Sequence, residues 1–303
     1  MIALTRFADS DFVYRFRRSP VTVGAAALTM FFIAVALLAP WLAPFDPFDP
    51  AKLDIMDARL PPAWRPGGTM KYLLGTDNQG RDVLSAIMYG SRISLAVSVG
   101  ATGFALVLGV TLGLVAGYLG GRVDNFIMRL ADVKLSFPTI LIALMVDGII
   151  RNSLPRELHR DIALYVLIFA IGISNWVQYA RTVRGTTLVE KNKEYVQAAR
   201  ITGLSPVRIM AQHVLPNALG PVLVIATLGL GGAILTEATL SFLGLGAPAT
   251  QPSLGTLIRI GNEVLFSGEW WITIFPGIYL VALVLAVNLL GDWLRDALNP
   301  KLR

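Results

Sequence analysis

The run ISLAVSVGATGFALVLGVTLGLVAGY, from Ile93 to Tyr118, decides the fold. It carries no charged residue and exceeds the roughly 20 apolar residues that cross the hydrocarbon core of a bilayer. Five further stretches on either side of it are long enough, or nearly so, to do the same. Val21 to Leu42 lies behind a basic tail of Arg15, Arg17 and Arg18. Leu135 to Ile150 is short and holds Pro138 and Asp147. Ile162 to Ala180 follows, then Asn217 to Gly246, which is over-long and ends in Gly-rich sequence, and finally Trp270 to Leu290. Lipid offers backbone N–H and C=O groups no partner, so each span must satisfy its own. The expected fold class is therefore an all-α integral membrane protein with six transmembrane helices.

Composition agrees with that class. Of the 303 residues 54% are hydrophobic and 15% charged, and mean hydropathy is +0.62. Soluble domains carry about 25% charged residues. The net charge of +6 does not indicate a nucleic-acid binder, because the basic residues sit in the links between apolar blocks. Cysteine is absent, which removes disulfide, thiol and cysteine–metal chemistry. The apolar core of the first span is longer than the 7–15 residues of a signal-peptide core. It ends in Ala43-Pro44-Phe45-Asp46-Pro47, a poor cleavage site, so a retained anchor is expected.

Basic residues set the orientation. With the N-terminus inside, the inner segments hold Arg6, Arg15, Arg17, Arg18, Arg122, Arg129, Lys134, Arg181, Arg184, Lys191, Lys193, Arg200, Arg208, Arg295, Lys301 and Arg303, sixteen of the 26. The loop from Ala43 to Arg92 holds six of the remaining ten, balanced by six Asp. Arg151, Arg156 and Arg160 on a short outer loop are the exception to an N-in, C-in arrangement. The chain thus divides at residue 92. Residues 1–92 form a tail, first span and long outer loop; residues 93–303 form a five-helix core with an inner link at about 190–216. Gly100, Gly103, Gly109, Gly113 and Gly117 let helix backbones approach closely, either inside this bundle or against a second chain.

The link from Arg181 to Pro216 carries no span and reads as two short helices. Glu190 to Thr202 places Tyr195, Val196, Ala199 and Ile201 near helical spacing. Gly203 suits the left-handed stop of a helix. Ser205-Pro206 restarts one, with Ser capping free N–H groups and Pro in the first turn. Pro216-Asn217 marks the turn into the fifth span. Such a pair can lie on lipid headgroups as an interfacial element, or it can present an apolar knob to the groove of a cytosolic protein.

The segment Tyr195-Val196-Gln197-Ala198-Ala199-Arg200-Ile201-Thr202-Gly203, continuing to His213-Val214-Leu215-Pro216-Asn217, resembles the EAA motif of ABC-importer permeases. Ala198, Ala199, Gly203, Leu215 and Pro216 match at the motif's spacing; Gln197 replaces its Glu, and His213 occupies a hydrophobic position. Leu74-Gly75-Thr76-Asp77-Asn78-Gln79-Gly80-Arg81-Asp82 with Ser91-Arg92-Ile93-Ser94-Leu95 resembles the outer-loop signature of peptide and nickel permeases. Glu237-Ala238-Thr239-Leu240-Ser241-Phe242-Leu243-Gly244-Leu245-Gly246 with Pro252-Ser253, and Gly291 to Pro300, fit the same group. The chain is similar to the C-type permease of dipeptide, oligopeptide and nickel ABC importers, which have a MetI-like fold.

That resemblance implies a bacterial inner-membrane, multi-pass location and half of a translocation pore, with no catalytic role for this chain. The implied partners are a homologous B-type permease, two cytosolic ABC ATPases, an extracytoplasmic solute-binding protein and membrane lipid. ATP and Mg would be held by the ATPases, and no cofactor by this chain, which lacks GxxxxGK[ST]. Tyr195, Gln197, Ala198, Ala199, Gly203, Ser205, Pro206, Leu215 and Pro216 are the implied ATPase-coupling residues. Gly75, Thr76, Asp77, Gly80, Arg81 and Asp82 either form a turn-rich loop fixed by Gly and Asp or dock a partner, with Arg81 and Asp82 supplying charge. Glu237, Ser241 and Asp147 are pore or gate candidates, with structural hydrogen bonding the favoured alternative for Glu237 and Asp147. Asp132 is expected to pair with Arg129, and Asn175 and Asn288 to hydrogen-bond between helices. His159 and His213 are isolated and have no metal-ligand spacing. An ion-coupled secondary transporter would instead need ionisable groups near mid-membrane. A membrane enzyme would need converging nucleophiles or bases. Both are sparse here.

Overall fold

The computed structural model describes residues 16–49, 53–153, 155, 159–248 and 250–298. Arg6, Arg15, Arg156, Lys301, Arg303 and the closing Asn299-Pro300 lie outside them, as do the side chains of Arg151, His159 and Arg160. The described chain is a helical bundle. Its elements are α1 (Pro20–Leu42), α2 (Val83–Leu119), α3 (Gly121–Leu135), α4 (Thr139–Ser153), α5 (His159–Glu190), α6 (Glu194–Ile201), α7 (Pro206–Ile209), α8 (Leu215–Phe242), α9 (Leu254–Asn262) and α10 (Trp271–Leu298). Five helical stretches are long and apolar enough to cross a membrane, and α3 with α4 makes a sixth if that bent pair counts as one.

Side-chain caps start the first two of these helices. Ser19 accepts from Thr22 N at 3.3 Å with Pro20 in the first turn of α1. The Asp82 carboxylate accepts from Ser85 N at 2.8 Å and from its hydroxyl at 2.5 Å, starting α2. Lipid tails are as apolar as leucine, so burial of hydrocarbon does little to pull these helices together. Close contact must do it. The principal seam joins α2 to α5. A Cβ at Gly109 would lie 2.5 Å from the Trp176 carbonyl oxygen, one at Gly113 2.5 Å from that of Ala180, and one at Gly117 2.7 Å from Thr187 Cβ. Three glycines at four-residue spacing therefore set backbone against backbone along two turns. Gly103, on another face of α2, has nothing within 4 Å of such a Cβ.

Two ends of the bundle can be distinguished. At the end bearing the 191–205 link, Arg184 of α5 makes a bidentate pair with Asp124 of α3 at 2.5 and 2.7 Å. Lys191 donates to the Gly117 carbonyl at the close of α2, at 2.7 Å. Asp132 pairs at 2.6 Å with Arg181, not with Arg129 as the sequence suggested. Helical proximity within α3 loses to a guanidinium that α5 brings alongside.

At the opposite end, the loop between α1 and α2 is tied into a frame. Thr76 Oγ1 donates to the Asp57 carbonyl at 2.5 Å and accepts from Leu60 N at 2.8 Å. Trp271 Nε1 donates to the Thr76 carbonyl at 3.1 Å. Gly75 and Gly80 both take positive φ, and a Cβ on Gly80 would meet the Asp54 carbonyl at 2.3 Å, so both positions need glycine.

Span boundaries differ from the sequence reading: α5 runs ten residues past Ala180, to Glu190, so the link read from Arg181 begins later, and α10 runs eight residues past Leu290, to Leu298. The second helix begins at Val83, ten residues before Ile93, because Asp82 caps it. The stretch from Leu135 to Ile150 is not one helix: α3 ends at Leu135, and α4 leaves it at 96°. Pro138 disfavours helical backbone at Phe137 and offers no N–H. The fifth span does not start with a turn at Pro216-Asn217. α7 runs through a π-helical turn, Met210–Val214, straight into α8. In that widened turn Leu215 N donates to the Met210 carbonyl, which lets the helix carry Pro216 without a break.

Gly113→Val should force α2 and α5 apart and cost about 1–3 kcal/mol. The expected readout is a lower detergent melting temperature, with Gly103→Ala close to wild type. The loop makes a pH prediction. The Lys71 ammonium, then the Tyr72 hydroxyl, hold the Asp57 carboxyl below its ordinary 3.8. A lowered folded value stabilises the loop above the unfolded one and is lost as pH falls through the folded one. Protease cleavage of the 53–82 loop should therefore accelerate below about pH 4, and Asp57→Asn should flatten that dependence.

Candidate functional site

The link is short, exposed and internally braced. α6 begins after Lys193 and buries Val196 and Ala199 against the ends of α2 and α8. Its other positions face outward: Tyr195, Gln197, Ala198 and Arg200 are exposed, and Ile201 is 87% exposed. Gly203 sits at φ +79°, with Gly203 N donating to the Arg200 carbonyl and Leu204 N to that of Ala199. This is the left-handed stop expected from the sequence. A Cβ there would meet nothing within 4 Å, so the constraint is the backbone conformation and not space. Ser205 then accepts from Arg208 N at 3.4 Å, with Pro206 in the first turn of α7. Val207 is 70% exposed and Ile209 fully buried, giving the second helix one outward and one inward apolar residue.

A polar lock joins this link to both neighbouring long helices. The Tyr195 hydroxyl donates to Glu190 at the end of α5 and accepts from Asn217 Nδ2 of α8 at 3.0 Å. Asn217 also donates to the His213 carbonyl at 2.9 Å. The Tyr195 ring stacks on the His213 ring, with centroids 6.4 Å apart. Glu190 pairs in turn with Lys193 at 2.7 Å. Desolvation, then the hydrogen bond to the Glu190 carboxylate, push the Tyr195 hydroxyl up to about 12, so it stays a donor at neutral pH. Gln197 donates to the Lys191 carbonyl at 3.3 Å. Leu215 packs against the cluster containing Val196 and Val214, and Pro216 is exposed. The sequence placed Tyr195 and Pro216 in one motif but gave no reason to join Glu190 or Asn217 to them.

The other candidates lie elsewhere and are buried. Asp77 and Arg81 form an ion pair at 2.7 Å, and Asp82 caps α2; all three side chains are under 5% exposed. Burial pushes the Asp82 carboxyl up, against the pull of its Ser85 bonds. The expectation that Arg81 and Asp82 offer charge to a docking partner does not survive this burial: both are spent on the loop frame. Glu237 is fully buried where α8, α2 and α9 meet, and Ser241 donates to its Oε1 at 2.6 Å. Nearby, Leu254 N donates to Ser94 Oγ at 3.2 Å, and Gly255 fits where a Cβ would lie 2.3 Å from the Ala238 carbonyl. Asp147 on α4 is 2% exposed. Asn288 of α10 touches α8 at Gly231, where a Cβ would fall 2.1 Å from its Oδ1. Glu237, near the end of α8 remote from Leu215, thus lies apart from the link.

Comparison with known proteins places this architecture. Residues 109–303 match the family described as binding-protein-dependent transport system inner membrane component. Residues 10–62 match the N-terminal TM domain of oligopeptide transport permease C. The chain is 42% identical over 296 residues to the dipeptide transport system permease protein DppC of Escherichia coli (strain K12), covering 97% of this chain and 93% of that one. It is 41% identical over 288 residues to the protein of the same name in Haemophilus influenzae, covering 92% and 91%. With the oligopeptide transport system permease protein OppC of Bacillus subtilis it shares 35% over 293 residues, covering 97% and 90%. Among solved structures, an inward-facing MetNI methionine ABC transporter chain superposes with a TM-score of 0.54 at 19% identity, over 71% of this chain and 96% of that one. That likeness is one of fold. The chain therefore belongs to the binding-protein-dependent transport system inner membrane component family, as a multi-pass permease subunit of the peptide-importer type with no catalytic role of its own.

Proposed function

We propose that this chain forms half of the translocation path for dipeptides or short oligopeptides, and that the 190–216 link is where ATP-driven motion enters it. The full assembly in this reading adds a homologous B-type permease, two cytosolic ABC ATPases and an extracytoplasmic solute-binding protein. ATP and Mg belong to the ATPases. The N- and C-termini and the link face the cytoplasm; the loop between α1 and α2 faces outward, and its 53–82 part, with the buried Asp77–Arg81 pair, is a rigid platform at the binding-protein side.

The observation that carries the reading is the coupling of exposure to bracing in the link. Ile201 and Val207 project as apolar knobs, while Tyr195 bonds to the end of α5 and the start of α8. A push on the knobs is therefore delivered to two long helices together, and Gly203 fixes the angle between the two short ones. An element resting on lipid would have no need of bonds to both helices. Glu237 and Asp147, both buried and Glu237 at the other end of the bundle, suit holding a gate closed better than touching cargo.

Tyr195→Phe with Asn217→Ala removes the lock while leaving the knobs. Losing hydrogen bonds worth about 1–2 kcal/mol should lower ATP-dependent peptide uptake by about tenfold. Insertion and ATPase co-purification should hold at wild-type levels. Gly203→Val should abolish uptake in a chain that still inserts, because a β-branched residue resists positive φ. Unimpaired uptake by either variant would sink the coupling role.

A further inference from the structure

The surface of α3 is unlike that of the other helices in the bundle. Gly120 and Gly121, both at positive φ, turn the chain out of α2 and into it. Its 15 residues cover about 22 Å, less than the roughly 30 Å of a bilayer core, and α4 leaves it at 96°. At about 100° per residue, α3 divides into three unbroken sectors. Asp124, Ile127, Met128 and Ala131 face the bundle, the last three packing against Trp176, Val177 and Ala180 of α5 and Ala116 of α2. Arg122, Asn125, Arg129 and Asp132 make an exposed polar sector. Val123, Phe126, Leu130 and Val133 make an exposed apolar one, in which Phe126 is 65% exposed.

A helix crossing hydrocarbon does not keep a polar sector exposed, and a helix in water does not keep an apolar one. Three sectors suit a helix at the junction of protein, hydrocarbon and water, lying in the membrane surface. The arginines stand where that position needs cations. Arg122 and Arg129 are the polar-sector residues bordering the apolar sector, two turns apart on one edge, and that edge is the level of the lipid phosphates. Among the described residues no hydrogen bond or ion pair holds either of them: the arginine ion pairs use Arg59, Arg81, Arg181, Arg184 and Arg259. Other basic groups at this end are engaged, Arg181 with Asp132, Arg184 with Asp124, Lys191 with the Gly117 carbonyl, and Lys134 with Thr139 at 3.3 Å. A protein covering this face would have to bring two acids at the spacing of the arginines. A bilayer offers phosphate all along the edge and hydrocarbon beside it.

We propose that Arg122 and Arg129 bind the phosphates of anionic phospholipids in the leaflet at the link end, with Val123, Phe126, Leu130 and Val133 resting on the acyl chains beside them. A guanidinium gives a phosphate two parallel N–H bonds in one plane, and each arginine takes one headgroup. Through the Asp124–Arg184 and Asp132–Arg181 pairs the lipid-bound helix is braced to α5, the helix that ends at Glu190. The inference stands apart from the importer reading: it needs only a bilayer against the apolar sector.

The test uses the whole complex, assembled with partner subunits freed of reactive cysteine, in vesicles of phosphatidylcholine with about one-third phosphatidylglycerol. Val133→Cys adds the chain's single thiol inside the apolar sector, where the native side chain is 54% exposed, and carries a fluorophore. Two matched mixtures are compared, one with bromine on the acyl chains of the phosphatidylglycerol and one with bromine on those of the phosphatidylcholine. The readout is the relative affinity of the two lipids for this face, taken from the quenching by each. Phosphatidylglycerol should be favoured about tenfold. Arg122→Gln with Arg129→Gln should bring the ratio to about one, and Arg122→Lys with Arg129→Lys should keep most of the preference, because the charge remains. Equal quenching by both lipids in the parent, or an undiminished preference in the glutamine pair, would overturn the proposal in favour of lipid that merely fills the surface. Quenching by neither lipid would overturn it in favour of a protein, such as a second permease, covering this face.

Discussion

Between α2 and α5 two helix backbones touch without side chains in the way, and the rest of the bundle is arranged around that contact. Gly109, Gly113 and Gly117 leave room for the carbonyls of Trp176 and Ala180 and for Thr187. In a membrane, where apolar burial does not separate protein from lipid, such contact is one of the few forces that can fix a helix pair. It also fixes where α5 ends. Glu190 is the last residue of that helix, and Lys191 bonds to the carbonyl of Gly117 in the same seam. The glycine seam thus places the anchor to which Tyr195 is bonded, so the position of the link follows from packing many residues away.

The link combines features that pull in opposite directions. Its backbone is held by the Ser205 cap, one positive-φ glycine and a π-helical turn, while most of its side chains face away from the bundle. Rigidity with exposure is what a lever requires: motion imposed at Ile201 is not absorbed by bending before it reaches α5 and α8. The π-helical turn admits Pro216 into one unbroken helix running from Pro206 to Phe242. A break at Pro216 would have let the link swing independently of the fifth span; the continuous helix makes the two move as one body.

Much of this was legible in the sequence, for definite reasons. Long uncharged runs have one interpretation in physical terms, so five of the six spans were found. The Gly203 stop and the Ser205-Pro206 restart are local backbone chemistry and appeared as expected. The missed pairings share a cause: each needed a partner distant in sequence. Asp132 bonds to Arg181, 49 residues away, and Asn217 to Tyr195, 22 residues away. No spacing rule connects such pairs. Arg81 and Asp82 looked like surface charges because their type usually is, and only the folded loop shows them buried. The bend at Pro138 was visible as a residue but not as an angle.

The central claim is that the link meets an ATP-hydrolysing subunit, and the natural absence of cysteine makes it directly measurable. Ile201→Cys would supply the chain's single thiol at its most projecting knob. In membranes from its native cells, a short thiol–amine cross-linker should join this chain to a Walker-containing ATPase, identified by mass spectrometry, with a yield that changes when ATP is added. An Ile201→Cys chain whose thiol labels readily with a lipid-soluble reagent yet forms no adduct with any ATPase, with or without ATP, would contradict the account and leave the link as an element resting on the membrane surface.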